Sequence, residues 1–215
     1  DGATKASSKS AKSYLSLSNQ LNGFMRSMAK LVSLKAIATY LGNAAEKFNS
    51  YYEAANLFGV SMKGLTGEAS TFINKMETLL GIDPTEAMNN MATIQGLTTS
   101  FGMASDKAYV LSKNLTQLGY DLASLKNIPV AESFTKIQAA ISGELEPIRR
   151  LGVDISNARL QQELLNLGYS QSVSTLSQAD KAVLRYIAIM KQTTDAQGDF
   201  ARTLSSPANM IRILQ

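Results

Sequence analysis

The segment from Ser142 to Asp199 reads SGELEPIRRLGVDISNARLQQELLNLGYSQSVSTLSQADKAVLRYIAIMKQTTDAQGD. It alternates helix-length stretches, in which apolar residues recur every three or four positions, with the glycines, prolines and small polar residues that end them. Spacings of three and four place apolar side chains on one face of an α-helix. The segment therefore predicts a series of short helices, each with one apolar face for packing.

Helix starts are predicted where a short polar side chain can accept hydrogen bonds from the free amides of the first turn. The same signals occur upstream of the quoted segment. The predicted starts are Asp83, followed by Pro84 and with Glu86 three residues on; Ser105; Asp154 or Ser156; and Ser177 with Asp180, an acidic variant of the capping box.

Helix ends are predicted at six glycines that stand between a large apolar residue and a second apolar or aromatic one. Glycine can adopt the left-handed conformation that closes a helix, and the apolar residue after it can fold back on the last turn. The predicted ends are Gly59, Gly81, Gly102, Gly119, Gly152 and Gly168.

Several of these ends are followed by a new start within a few residues, and Pro129 predicts one more end because the residue before a proline avoids helical dihedrals. Short connections favour antiparallel neighbouring helices. Alternating apolar residues of the kind found in strands are sparse. The expected fold is all-α, with short helices and helical hairpins joined by glycine-capped turns.

The composition argues against most enzyme classes. The 215 residues include no Cys, no His and no Trp, so thiolate chemistry is absent and so are the commonest general base and metal ligand. No glycine-rich phosphate loop, serine elbow or zinc motif is present. We therefore expect a protein that is not an enzyme, with no catalytic, cofactor-binding or metal-binding residues.

The charge and hydropathy of the chain give no sign of a nucleic-acid or membrane partner. The net charge of +4 comes from 21 basic and 17 acidic residues, mostly interspersed, so no specific nucleic-acid binding is expected. No apolar run reaches the roughly 20 residues of a membrane-spanning helix. Membrane contact is expected only through parts outside this chain.

Two groups of charged residues are candidates for a site. Glu144 and Glu146 beside Arg149 and Arg150 could provide paired carboxylates, but acids in a first helical turn and arginines near them favour ion pairing. Asp195 and Asp199 could bind a metal only with further ligands. The nine methionines lie mostly on apolar faces, where core filling is the expected role.

Three regions are expected along the chain. Residues 1–13 are small and polar and should fray, residues 14–204 form the helical domain, and residues 205–215 lead into the rest of a longer parent chain. The expectation of a longer parent comes from residue 1, which is Asp rather than Met.

From about Phe48 to Leu204 the sequence resembles phage tail tape measure proteins. The resemblance lies in the runs SGELEPIRRLGVDIS and SQADKAVLRYIAIMKQTTDAQGDFART, preceded by DLASLKN. The positions that match the family's motifs are Asp121, Leu122, Ala123, Ser124, Asn127, Gly143, Glu144, Glu146, Pro147, Arg149, Arg150, Leu151, Gly152, Ala188, Ile189, Met190, Asp195, Gly198, Asp199, Phe200 and Ala201. The family often has Ile where Val153 stands.

The resemblance implies a structural virion protein that is made in the bacterial cytoplasm and occupies the lumen of the tail tube. Such a protein sets tail length during assembly and leaves with or ahead of the DNA. Its implied partners are the tail tube protein, tail assembly chaperones, baseplate or tail-tip proteins, and other copies of itself. The alternative is a helical, non-enzymatic module of a secreted effector or toxin.

Overall fold

The structure is a computed structural model that describes residues 34–214, without the side chains of residues 34–45, 48 and 214. The predicted frayed stretch at residues 1–13 and residues 14–33 of the predicted helical domain lie outside the described residues. Contacts divide the chain into two units, Asp1–Tyr51 and Tyr52–Gln215. The second unit contains almost all of the described structure.

All regular structure in residues 34–214 is helical, which confirms the predicted all-α class. The α-helices are α1 (Leu34–Ser61), α2 (Thr66–Leu80), α3 (Pro84–Ser100), α4 (Ser105–Lys126), α5 (Val130–Ser142), α6 (Leu145–Arg149), α7 (Asn157–Asn166), α8 (Gln178–Gln192), α9 (Asp199–Arg202) and α10 (Pro207–Leu214). A 3₁₀ turn at Val173–Thr175 separates α7 from α8.

Helix α4 is the centre of the second unit. It contacts α2, α3, α5 and α9, and half of its 22 residues are buried. Leu115, Leu118 and Leu122 lie on its packed face at spacings of three and four. Because α4 is covered from several sides, the polar residues on it must find partners within the protein.

Three of the predicted helix starts are confirmed by side-chain caps. The side chain of Asp83 accepts a hydrogen bond from the amide of Thr85, and those of Ser156 and Ser177 each accept one from the amide three residues on. Asp154, the alternative to Ser156, instead accepts from the Ser156 amide and so orients the capping residue.

The prediction that Ser105 caps a helix is wrong by one residue. Ala104 has extended dihedrals and its carbonyl accepts the first helical bond, from the amide of Ala108, while Ser105 is the first residue of α4. Ala104 has no side-chain oxygen to cap the first turn, so the start of α4 is set by backbone geometry.

Four of the six glycine ends are confirmed by positive φ angles. Gly81, Gly102, Gly152 and Gly168 have φ of 66°, 86°, 88° and 88°. At Gly102 the next amide, of Met103, bonds back to the carbonyl of Thr98 at 3.3 Å, and the same five-residue return follows Gly152 and Gly168. This is the hydrogen bond expected where a left-handed glycine ends a helix and the following apolar residue folds back.

The predictions at Gly59 and Gly119 are wrong, because both glycines lie inside helices. The amide of Met62 bonds to the carbonyl of Phe58, so α1 continues past Gly59 and the chain turns at Gly64, whose φ is 85°. At Gly119 the ring of Phe134 covers the backbone so closely that an added Cβ would stand 2.5 Å from its Cζ atom. Gly119 therefore serves the packing of α5 on α4.

Candidate functional site

A group of interacting polar side chains joins α4 to the chain after α8. We call it the polar junction and define it by Asp121, Ser124, Asp199, Thr203 and Asn209. Asp121 and Ser124 lie more than 70 positions before the other three residues in sequence. The side chain of Ser124 nevertheless bonds directly to those of Asp199, Thr203 and Asn209, and Asp121 binds two backbone amides beside them. Asp121, Asp199 and Asn209 are buried.

Asp121 holds the turn that leads into α9. Its side chain is 1% exposed. One carboxylate oxygen accepts from the amide of Gly198 at 2.9 Å and the other from the amide of Phe200 at 3.1 Å. Gly198 has φ of 79°, so the turn requires a left-handed residue where the two amides converge on the carboxylate.

Asp199 continues the network toward α10. Its carboxylate accepts from the hydroxyl of Ser124 at 2.6 Å, and Asn209 donates to the hydroxyls of Ser124 and Thr203 at 2.9 Å each. Arg202 adds a longer contact, at 3.3 Å, to the other oxygen of Asp199. These side-chain hydrogen bonds join helices α4, α9 and α10.

Arg212, on α10, also binds the end of α4. Its guanidinium donates to the carbonyls of Ala123 and Ile128 at 3.1 and 3.2 Å, and to the side chain of Asn209 at 2.6 Å. The last carbonyls of a helix lack partners within the helix, and a cation there is favourable. Asn127, at φ 51°, ends α4 beside this contact.

The electrostatics of the polar junction fit a structural role. Burial raises the pKa of Asp121, and nearby Asp199 adds to the rise, whereas the hydrogen bonds from Gly198, Phe200 and Gln117 oppose it. The oxygens of both carboxylates are occupied by donors of the protein itself. Both carboxylates therefore take part in holding α9 against α4.

An aromatic cluster lies next to the polar junction. Tyr120 packs edge-on against Phe134 and Phe200, with ring centroids 5.3 and 6.0 Å apart. Burial raises the pKa of Tyr120 well above its ordinary range, and the negative charge of Glu86 adds to the rise. Burial also raises the pKa of Glu86. Because Phe200 belongs to the turn that Asp121 holds, that turn places the Phe200 ring in the core.

The matching residues from Gly143 to Gly152 have contacts of a different kind. Gly143, at φ 110°, lies under the guanidinium of Arg185, which donates to the carbonyl of Ile141 at 2.9 Å and so covers the end of α5. Burial lowers the pKa of Arg185. Ile148 and Leu151 are buried. These residues shape the turn between α5 and α7.

The charged cluster predicted at this turn is an exposed ion pair. Arg149 and Glu146 are 2.7 Å apart and both are largely exposed, while Glu144 and Arg150 are exposed beside them and Pro147 lies within α6. Exposed pairs of this kind contribute little to stability. Asp195 is also exposed, and its carbonyl accepts from Arg202.

The sequence pattern did not single out Glu163, Asn209 or Arg212. Glu163 is buried in α7 and bridges Arg159 and Lys191, each at 2.6 Å. The hydrogen bond from Lys191 is the largest cause that lowers the pKa of Glu163. The only sequence signal for the bridging role of Glu163 is its spacing of four from Arg159. Asn209 and Arg212 lie in the segment that was expected to lead out of the domain.

Helices α7 and α8 form a hairpin, and one side of this hairpin is open to the surface. The open side is an apolar groove of about 400 Å³, which we call the hairpin groove. Its lining residues are Leu164, Leu167, Tyr169, Gln171, Leu176, Asp180, Val183, Leu184 and Ile187. Asp180 is the one charged residue among them.

Two further findings concern ligands and membranes. Within residues 34–214 the structure places no three acidic side chains together as a metal site would require. In the same part of the chain, no helix combines the length and apolarity needed to cross a bilayer.

Comparison of the chain with known protein families, with curated proteins and with solved structures found no match. The resemblance seen in the sequence therefore stays a prediction about function. The structure does bring Asp121 and Ser124, from one matching run, together with Gly198, Asp199 and Phe200 from another.

Proposed function

We propose that this chain is a structural, non-catalytic segment of a phage tail tape measure protein. It would be made in the bacterial cytoplasm and would reside in the lumen of the tail tube with tube, chaperone and tail-tip proteins as partners. The observation that carries the proposal is the polar junction. The runs in which the sequence resembles the family supply the hydrogen bonds that join α4 to α9.

The chemistry of the described residues supports a structural role. Asp121, Asp199 and Glu163 are the acidic residues buried in the structure, and each is bound by donors within the protein. Arg185 and Arg212 cover helix ends. The buried charged groups thus stabilise helix packing, as expected of a scaffold whose partners are proteins.

The fold bears on how such a segment would contribute to tail length. A continuous helix rises about 1.5 Å per residue, so the 164 residues from Tyr52 to Gln215 would span roughly 250 Å. Folded as one compact unit, the same residues would span roughly 40 Å. We propose that the segment is folded before assembly and acts as a terminal folded domain of the tape measure.

The test is an in-frame deletion of residues 48–204 from the parent gene, followed by tail-length measurement in electron micrographs. The expected result is defective assembly or infection with tails of unchanged length. Tails shorter by roughly 235 Å, about 1.5 Å for each of the 157 deleted residues (204 − 48 + 1), would instead mean an extended segment that belongs to the ruler. Normal tails with normal infectivity would contradict both versions.

A deletion of equal length elsewhere in the same gene is the matched control, since it removes the same amount of chain without removing this fold. Mass spectrometry of purified particles tests the location independently. Recovery of the protein in culture medium free of particles would favour the alternative, a secreted helical module.

A further inference from the structure

The hairpin groove is an open, mostly apolar channel that follows one face of α8. Along α8 its floor follows Asp180, Val183, Leu184 and Ile187, a stripe on one helical face, and Leu164, Leu167 and Tyr169 form the opposite wall. Two antiparallel helices with an open apolar side are completed by a third helix packed along them. The occupant should therefore be an exposed helix face with apolar side chains.

One charged residue lies in the groove, and a second lies on the same face of α8 beyond the groove's lining. Asp180 lies at the end where α8 begins, and no ion pair engages it within the described residues. Lys191 lies eleven residues further along the same stripe, which is roughly 16 Å at about 1.5 Å per residue. Lys191 binds Glu163 but is half exposed, and an ammonium can donate more than one hydrogen bond.

The outer face of α1 presents the complementary pattern. Leu57 and Val60 are 46% and 70% exposed and lie on one face with Glu53, while Ala54 and Phe58 point into the core. Lys63 follows just after the helix end. Glu53 and Lys63 are exposed and have no ion pair within the described residues.

The two patterns fit when the helices run antiparallel. Glu53 lies eight residues, roughly 12 Å, before the end of α1 at Ser61, and Lys63 follows in the turn two residues beyond that end, so their separation is comparable to that of Asp180 and Lys191. In that orientation Lys63 meets Asp180, Glu53 meets Lys191, and Leu57 and Val60 fall over the apolar floor between them. A parallel orientation would oppose like charges at both ends.

We infer that the hairpin groove binds the outer face of α1 from a second copy of this chain. Each copy carries one groove and one such face, so the contact is head-to-tail, and a head-to-tail contact adds further copies unless it closes into a ring. The inference rests on these two surfaces alone. It therefore stands or fails separately from the proposed tail function.

Sedimentation equilibrium of the full 215-residue chain tests the inference with two variants at exposed positions. Val60→Asp removes the apolar face of α1, and Tyr169→Asp, at a side chain that is 56% exposed, obstructs the groove. The wild-type mass should rise with concentration above 23.1 kDa, and each single variant should remain at 23.1 kDa. An equimolar mixture should form pairs of roughly twice that mass and grow no further, because each variant retains the surface that the other lacks.

Leu79→Asp is the matched control, since Leu79 is an equally exposed apolar residue, on α2. It should associate as the wild type does, and circular dichroism should show unchanged helix content in all variants. The inference is overturned by a wild type that stays at 23.1 kDa at every concentration, by an equal loss of association in Leu79→Asp, or by a mixture that stays monomeric while the wild type associates.

Discussion

At the scale of single residues, Asp121 has the widest structural effect. Its two oxygens bind the amides of Gly198 and Phe200, and this places Phe200 against Tyr120 in the core. A buried amide that loses its acceptor costs about 1–3 kcal/mol. One carboxylate therefore contributes strongly to the packing of α9 on α4, beside the hydrogen bond from Ser124 to Asp199.

Asp121→Ala should lower the free energy of unfolding by about 2 kcal/mol, because it leaves one buried and one partly buried amide without an acceptor. Asp195→Ala, at an exposed position of the adjoining turn, should change stability by less than about 0.5 kcal/mol. Urea unfolding followed by circular dichroism measures both. Equal stability of the two variants would contradict the role assigned to Asp121.

The pH dependence of this effect has a defined sign. Because the pKa of Asp121 is raised in the fold, its contribution to stability is fully present below its ordinary value of 3.8 and declines as pH rises through the folded value. The stability difference between wild type and Asp121→Ala should therefore be larger at about pH 4 than at pH 7. A difference that widens toward neutral pH would contradict the raised pKa.

At the scale of helices, glycines with similar sequence neighbours have three different roles. Gly152 ends a turn at φ 88°, Gly119 admits the ring of Phe134 between α4 and α5, and Gly59 lies in α1 with nothing within 4 Å of an added Cβ. Each has a large apolar residue before it and an apolar or aromatic one after it. Only the packing around them separates the roles.

Alanine substitutions at these three glycines should therefore change the stability of the fold in different directions. Gly119→Ala should destabilise the fold by about 1–3 kcal/mol or more, because its Cβ would overlap the Phe134 ring. Gly59→Ala should stabilise it by about 0.5–1 kcal/mol, since alanine is the better residue inside a helix. Gly152→Ala should destabilise it by about 1 kcal/mol, because alanine is disfavoured at positive φ.

Thermal unfolding of these three variants against the wild type measures the differences. A loss of stability in Gly59→Ala would contradict its placement inside α1. No loss in Gly119→Ala would contradict the close packing of the Phe134 ring on that glycine.

At the scale of the whole molecule, the second unit is organised around α4. This helix packs against α2, α3, α5 and α9, and through the polar junction it also holds α10. The α7–α8 hairpin has one open side at the groove. Amides that open only with global unfolding exchange most slowly.

Hydrogen exchange should therefore be slowest, among residues 34–214, in the middle of α4. Mass spectrometry of proteolytic peptides should show residues 111–123 protected longest, and the stretch 166–177 beside the hairpin groove exchanging much earlier. Equal protection of the two stretches would contradict the central position of α4.

The amino-acid sequence by itself determined the helical class, most helix boundaries and four of the glycine ends. These features depend on interactions within a few residues, such as the bond from Thr85 to Asp83 or the return of Met103 to Thr98, so local patterns predict them. The roles of Gly119, Asp121, Glu163 and Arg212 were decided only by the tertiary structure. Each of them has a partner 14 to 89 positions away, as for Ser133 with Gly119 and Arg212 with Ala123, and which distant residues meet depends on how the helices pack.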